Sequence, residues 1–163
     1  MLTGRLELRL PEEPDRERFV ELFGDEDFMV FSGGTLSRDD AEDRFDRMLA
    51  RAAELPFAKQ PIIDRSTGVI VGYSGVDRFE LDGEARWEFG YRLVPAARGR
   101  GYATEAGLAL LTVADQTFRG ELLAMIDPRN AASANVIAKL GFTWWKRAMV
   151  EGFEDELYRR PCG

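Results

Sequence analysis

The sequence contains no histidine and a single cysteine, Cys162, one residue from its end. Without imidazole there is no Ser-His-Asp triad, no Cys-His pair and no histidine-containing zinc site, and no metal is expected. General acid–base work falls to Glu, Asp, Lys, Tyr, Ser or water. One cysteine forms no internal disulfide, and the opening residues Met1 to Arg5 carry no apolar signal core, so cytoplasm is the expected compartment. No apolar run approaches the roughly 18 residues of a membrane span, so no membrane is expected. Positive charge is also in deficit: 22 Lys and Arg stand against 29 Asp and Glu, a net charge of −7. This argues against a nucleic-acid partner and weakly favours a cationic one such as an amine. Disorder is excluded by the 45% of hydrophobic residues, and 163 residues make one domain, 1–163.

Periodicity gives the order of elements. Leu6, Leu8 and Leu10 alternate with charged residues as in a half-buried strand, which Pro11 and Pro14 close. A helix begins near Pro14, with Phe19, Val20 and Phe23 on its apolar face. Residues 24–36, including Phe28, Met29, Phe31 and Gly33-Gly34, read as a loop with exposed or half-buried aromatics. Ser37 and Asp40 form a short capping box for a second helix, in which Ala41, Phe45, Met48 and Leu49 share a face. Strands follow at Pro61–Asp64, from Val69 to Val76, and at Ala85–Val94, the last two turning at Asp82-Gly83. In Ala85–Val94, Trp87, Phe89, Tyr91 and Leu93 point one way, and Arg86, Glu88, Gly90 and Arg92 the other. Next come a helix with Leu108, Leu111, Ala114 and Phe118 inward, a strand Glu121–Asp127, and a short helix opened by Asn130 with Val136, Ile137 and Leu140 inward. Two last strands, Phe142–Met149 and Phe153–Tyr158, turn at Glu151-Gly152. The order β α α β β β α β α β β predicts a mixed sheet covered by helices, α/β or α+β.

Between the third of these helices and the strand before it stands Arg98-Gly99-Arg100-Gly101-Tyr102-Ala103. Glycines let an anion approach the backbone, the following helix offers free N–H groups, and the arginines add charge. On residues alone two readings stand: a phosphate cradle, or an ordinary strand–helix turn with solvated arginines. It is neither a P-loop, lacking Gly-Lys-Ser/Thr, nor a Rossmann fingerprint, lacking the third glycine.

The loop resembles the Arg/Gln-x-x-Gly-x-Gly/Ala motif of the GNAT superfamily of acyl-CoA-dependent N-acyltransferases. Glu88-Phe89-Gly90-Tyr91 with Gly99 to Ala106, then Asn130 to Asn135, Leu140-Gly141-Phe142 and Glu151 to Tyr158, are similar to the branch of ribosomal-protein alanine N-acetyltransferases. The likeness runs from about Leu2 to Arg160. It implies a mostly antiparallel seven-stranded sheet flanked by about four helices. It also implies an acetyl-CoA site where strands Ala85–Val94 and Glu121–Asp127 splay apart. Backbone groups near Leu93 and Val94 would pair with the pantetheine, amides of Arg98, Gly99, Arg100, Gly101, Tyr102, Ala103 and Thr104 would hold the pyrophosphate, and Asn130 would bond the pantetheine arm. Asn130 is equally suited to cap its helix.

Glu88 is the candidate base toward an amine, set against a surface carboxylate paired with Arg86 or Arg92. Ser133, one turn from Asn130, either donates to the departing sulfur or serves as a second cap. Many family members carry a Tyr seven residues after the Asn as general acid; here the position is Ile137. Cys162 is too near the end to carry an acyl group, so direct transfer is expected. Phe28, Phe31, Trp87, Trp144 and Trp145 either line an acceptor site or pack in the core. The expected acceptor is a primary amine, on a protein N-terminus or a small molecule, and the expected state a monomer or homodimer. The competing readings are a non-catalytic acyl-CoA-binding module of the same fold and an unrelated phosphate-binding domain.

Overall fold

The computed structural model describes residues 1–150 and 152–163. Strands β1 (Leu6–Leu8), β2 (Gln60–Asp64), β3 (Val69–Leu81), β4 (Glu84–Leu93), β5 (Gly120–Ile126), β6 (Thr143–Val150) and β7 (Phe153–Cys162) form a seven-stranded sheet in the order β1-β2-β3-β4-β5-β7-β6. All neighbours are antiparallel except β4 and β5. Helices α1 (Arg16–Phe23), α2 (Glu26–Met29) and α3 (Arg38–Glu54) precede β2. Helix α4 (Tyr102–Thr117) links β4 to β5, and α5 (Ala131–Lys139) links β5 to β6.

The sheet is covered on both faces. On one, α4 contributes Ala103, Ala106, Leu110, Leu111 and Ala114, and α5 contributes Ile137, against Leu6, Ile62, Val76, Phe89, Leu122 and Ala124. On the other, Phe19, Phe23, Phe28 and Phe45 of α1–α3 gather around Tyr73 of β3. A smaller cluster of Leu81, Leu123, Val150 and Leu157 lies further along this second face. The polar stretch between these clusters belongs to the candidate site.

The alternation in β4 matches the expected faces, with Phe89 and Leu93 buried under α4. Asp82 and Gly83 both take positive φ, 54° and 78°, as the expected two-residue hairpin turn requires. Ser37 Oγ accepts from the Asp40 N–H, capping α3 as expected.

Other expectations are corrected. The helices number five among the described residues, because α2 lies within the stretch read as a loop; Asp25 caps it by accepting from Phe28 N–H. Phe28 and Met29 are core residues rather than half-exposed ones. Leu108, expected inward, is 53% exposed, because the buried stripe of α4 runs through positions 103, 106, 107, 110, 111 and 114. Leu10 is exposed beyond the end of β1, and β3 continues to Leu81. Of the turn at Glu151-Gly152, Glu151 lies outside the described residues; Gly152 has φ 87°.

Candidate active site

The two central strands diverge. Among the described residues β4 and β5 share one parallel pair, Glu88 with Leu123. Beyond it, the stretch 89–93 and the stretch 124–126 run on without a partner in each other, so the sheet forks at Glu88. The fork opens toward the loop of residues 94–101.

That loop is built to leave amides free. Arg98 N–H is spent on the Pro95 carbonyl, and the first helical bond of α4 runs from Glu105 N–H to the Gly101 carbonyl. Among the described residues, the N–H groups of Gly99, Arg100, Gly101, Tyr102, Ala103 and Thr104 donate to no protein acceptor, and α4 has no side-chain cap. Gly99 and Gly101 take φ 71° and 80°, the left-handed region that curls successive amides into one concavity. A Cβ at Gly99 would meet nothing within 4 Å, and one at Gly101 only Arg5 Nη2 at 3.4 Å. The space before these amides is open, and the N-terminal end of α4 adds its positive dipole.

Around the loop the side chains brace rather than reach out. Arg98 donates to the Leu93 carbonyl at 3.1 Å and the Asp27 carbonyl at 2.6 Å. Arg5 and Arg100 both stack on the Tyr102 ring, at 4.7 and 4.6 Å from its centre, and the Tyr102 hydroxyl donates to Asp64 at 2.8 Å. Hydrogen bonds from Ser66 and then Tyr102 hold the Asp64 carboxyl down at about 2. Val94 donates its N–H to Val71 and accepts from Ala97, so its backbone groups are already engaged.

On the α4 side of the fork, Asn130 caps α5 by accepting from the Ser133 N–H at 3.1 Å. The cap thus uses the side-chain oxygen and leaves the amide NH2 to other partners. Ser133 Oγ and Tyr91 Oη lie 2.9 Å apart and share a hydrogen. Burial raises the Tyr91 phenol above its ordinary value, so it is protonated at neutral pH. Ile137 is 1% exposed, within the core beneath α5.

On the opposite face, Glu88 is half-buried and accepts from Lys59 Nζ at 3.3 Å, the side chains being 18% and 14% exposed. Its partner is therefore Lys59, not Arg86 or Arg92. Lys59 owes its place to Gly75: the Ala58 carbonyl lies 2.3 Å from where a Cβ on Gly75 would stand, so any other residue would push the 57–59 segment off the sheet. Lys59 also faces Asp77 at 3.9 Å, and Asp77 accepts from Arg51. Burial pulls the Lys59 ammonium down, but Glu88, Tyr73 and Asp77 outweigh it and leave its pKa raised. Gly90 separates Glu88 from Arg92 and leaves the strand bare there; a Cβ on it would lie 3.1 Å from Glu88 Oε1.

The aromatics divide. Phe28 is core, Trp87 and Trp145 pack at cluster edges, and Phe31 and Trp144 are exposed. Cys162 is buried, which pushes its thiol up to about 11. Tyr91 and Lys59 are the site residues that periodicity passed over. Tyr91 had a signal, a hydroxyl in an otherwise apolar alternation; Lys59 had none, since its partner is 29 residues away.

A profile described as an acetyltransferase (GNAT) domain matches residues 5–143. The uncharacterized N-acetyltransferase YnaD of Bacillus subtilis (strain 168) is 27% identical over 163 residues, covering 96% of this chain and 92% of YnaD. An acetyltransferase from Agrobacterium tumefaciens str. C58 superposes with a TM-score of 0.84 at 28% identity, covering 98% of this chain and 92% of that one. RimL, a ribosomal L7/L12 α-N-protein acetyltransferase solved in complex with coenzyme A, shares the fold with a TM-score of 0.80 at 16% identity, covering 99% and 97%.

Proposed function

We propose, from the premise that this chain belongs to the GNAT acetyltransferase family, that it moves an acetyl group from acetyl-CoA directly to a primary amine on a protein N-terminus or a small molecule. The observation that carries this reading is the fork at Glu88, flanked on one side by the unpaired amides of Gly99 to Thr104 and on the other by an acid–base pair. Acetyl-CoA supplies the thioester. The amides hold its pyrophosphate, the free edge of β4 toward Leu93 pairs with the pantetheine, and the Asn130 amide NH2 donates to the same arm.

Glu88 receives the amine's proton, directly or through water, since an ammonium has no lone pair to attack with. Lys59 keeps Glu88 in place. The amine nitrogen bonds the acyl carbon, the carbon–sulfur bond breaks with its pair going to sulfur, and the proton the nitrogen then sheds passes through water to the thiolate. Ser133 donates to the departing thiolate, oriented by Tyr91. A thiol's pKa is about 8.5, so this help is useful rather than obligatory. The buried Cys162 thiol is no acyl carrier, which favours direct transfer.

Acyl-CoA binding without turnover is a second reading, drawn from Ile137 in the family's tyrosine position and from the Lys59 clamp on Glu88. Calorimetric titration with acetyl-CoA and steady-state CoA release with a panel of primary amines decide between them. Binding with amine-dependent release supports transfer, binding alone supports the second reading, and no binding contradicts both.

A further inference from the structure

The chain is acidic overall, yet the surroundings of Glu88 hold an excess of cations. Arg92 of β4 and Arg44 of α3 flank Tyr73 on the face covered by α1–α3. Among the described residues neither guanidinium has a carboxylate partner. Arg92 donates to Met29 Sδ at 2.8 Å and lies 5.7 Å from the centres of the Phe28 and Tyr73 rings. Arg44 donates to the Tyr73 hydroxyl at 3.4 Å and lies 4.8 Å from the Phe23 ring. The acids nearby are already engaged: Glu88 by Lys59, and Asp77 by Arg51 and Lys59.

A half-buried guanidinium whose partners are a thioether and aromatic faces is a costly arrangement, because burial of a charge needs an opposite one. The neighbours register this. Burial lowers the Arg92 pKa. Burial alone would raise the Tyr73 phenol, but Arg92, Arg44 and Lys59 outweigh it and hold the phenol below its ordinary value. An anion between Arg92 and Arg44 would relieve both.

The geometry points to a carboxylate-binding pocket formed by Arg92 and Arg44, which grips the acid group of a small amino acid while its amine faces Glu88. This rests on the acetyl-transfer reading and names its substrate class. Spacing supports a short molecule. Gly90 and Arg92 share one face of β4, about 6.6 Å apart along the strand, and Glu88 Oε1 already reaches over Gly90. Amine and acid must then lie within a few bonds of each other, as in an α-amino acid. The missing side chain at Gly90 is what lets the Glu88 carboxylate lean toward Arg92. The two guanidiniums come from different elements, so they engage a carboxylate from two sides, and the planar fork of each suits it.

The test uses matched probes, L-α-amino acids and their carboxamides, at saturating acetyl-CoA with CoA release as readout. Some acids should exceed their carboxamides by about 10–100-fold in kcat/KM, the range of charge-assisted hydrogen bonds. Arg92→Gln and, independently, Arg44→Gln on the helix should each collapse that ratio toward one. Equal use of acids and carboxamides, or a ratio that survives both substitutions, overturns the pocket. Thermal melts with the same probes and no acetyl-CoA separate the pocket from the reaction. An acid-specific rise in Tm that Arg92→Gln abolishes supports the pocket even if no amine is acetylated, in which case acetyl transfer falls alone. No acid-specific rise, in a protein that turns over amines, overturns the pocket and leaves the transfer reading standing.

Discussion

Replacing Glu88 with Gln removes the proposed proton acceptor while keeping shape, and its consequences divide into two measurable parts. The first is chemical. A primary amine with a pKa of about 10.4 is neutral in only about four molecules in ten thousand at pH 7. A positioned base that removes its proton contributes roughly 10²–10⁴-fold, so Glu88→Gln should lose turnover within that range at pH 7. As pH rises toward the amine's own pKa, free neutral amine replaces the missing base, and the deficit should shrink by up to tenfold per pH unit. The second part is structural. The substitution leaves Lys59, 14% exposed, with Asp77 at 3.9 Å as its remaining carboxylate. Breaking a fully buried pair costs about 3–5 kcal/mol and an exposed one under about 1, so this half-buried pair should cost about 1–2 kcal/mol. The sign with pH follows from Lys59, whose folded pKa is raised. Its contribution is present below the unfolded value near 10.4 and is lost as pH rises through the folded value. The stability gap between wild type and Glu88→Gln should therefore close in strong alkali. Initial rates from pH 6.5 to 9.5 give the first reading, and urea melts carried from neutrality to about pH 12 give the second. Wild-type turnover at pH 7, or a deficit that stays constant with pH, would refute Glu88 as the base.

Gly101→Val places a β-branched residue at φ 80°, costing about 1–2 kcal/mol of stability, and fills the open space before the amides. Calorimetry should find acetyl-CoA binding abolished, and a normal titration would dismiss the cradle. Ser133→Ala should slow turnover by about 10–150-fold, the worth of one hydrogen bond to a charged group, and by clearly less than Glu88→Gln. Ile137→Tyr should not speed turnover and should lower stability by about 1–3 kcal/mol, since the side chain is buried; faster turnover would put position 137 in the cleft. Asp64, held at about 2 when folded against 3.8 ordinarily, contributes stability that is complete above pH 4 and lost as pH falls through 2. Acid melts should show Asp64→Asn weaker than wild type near neutrality and converging with it below pH 2.

What could be read from the sequence was local. The alternation of Trp87 to Leu93 against Arg86 to Arg92 assigned β4 and both its faces, and Asp82-Gly83 its turn, because a period of two and a left-handed pair are properties of neighbouring residues. The loop from Arg98 to Thr104 was visible for the same reason. The four-residue α2 carries less than two turns of periodicity, so Phe28 and Met29 passed for loop residues although they are core. Leu108 was misplaced because α4 is apolar around most of its circumference, and its packed stripe is chosen by the sheet and by α5. The Lys59–Glu88 pair, the Tyr91–Ser133 contact and the convergence of Arg44 with Arg92 join residues 29, 42 and 48 positions apart, and only the folded chain brings them together.

Direct acetyl transfer is tested most closely by one reaction followed in both its products. The protein, acetyl-CoA and a primary amine are mixed, free CoA is measured by its thiol, and intact masses are taken of amine and protein. The account predicts one acetylated amine for each CoA released, no release without amine, and an unchanged protein mass with Cys162 unmodified. An acetylated protein that later passes its acyl group to the amine, or CoA release with no acetylated amine, would contradict it.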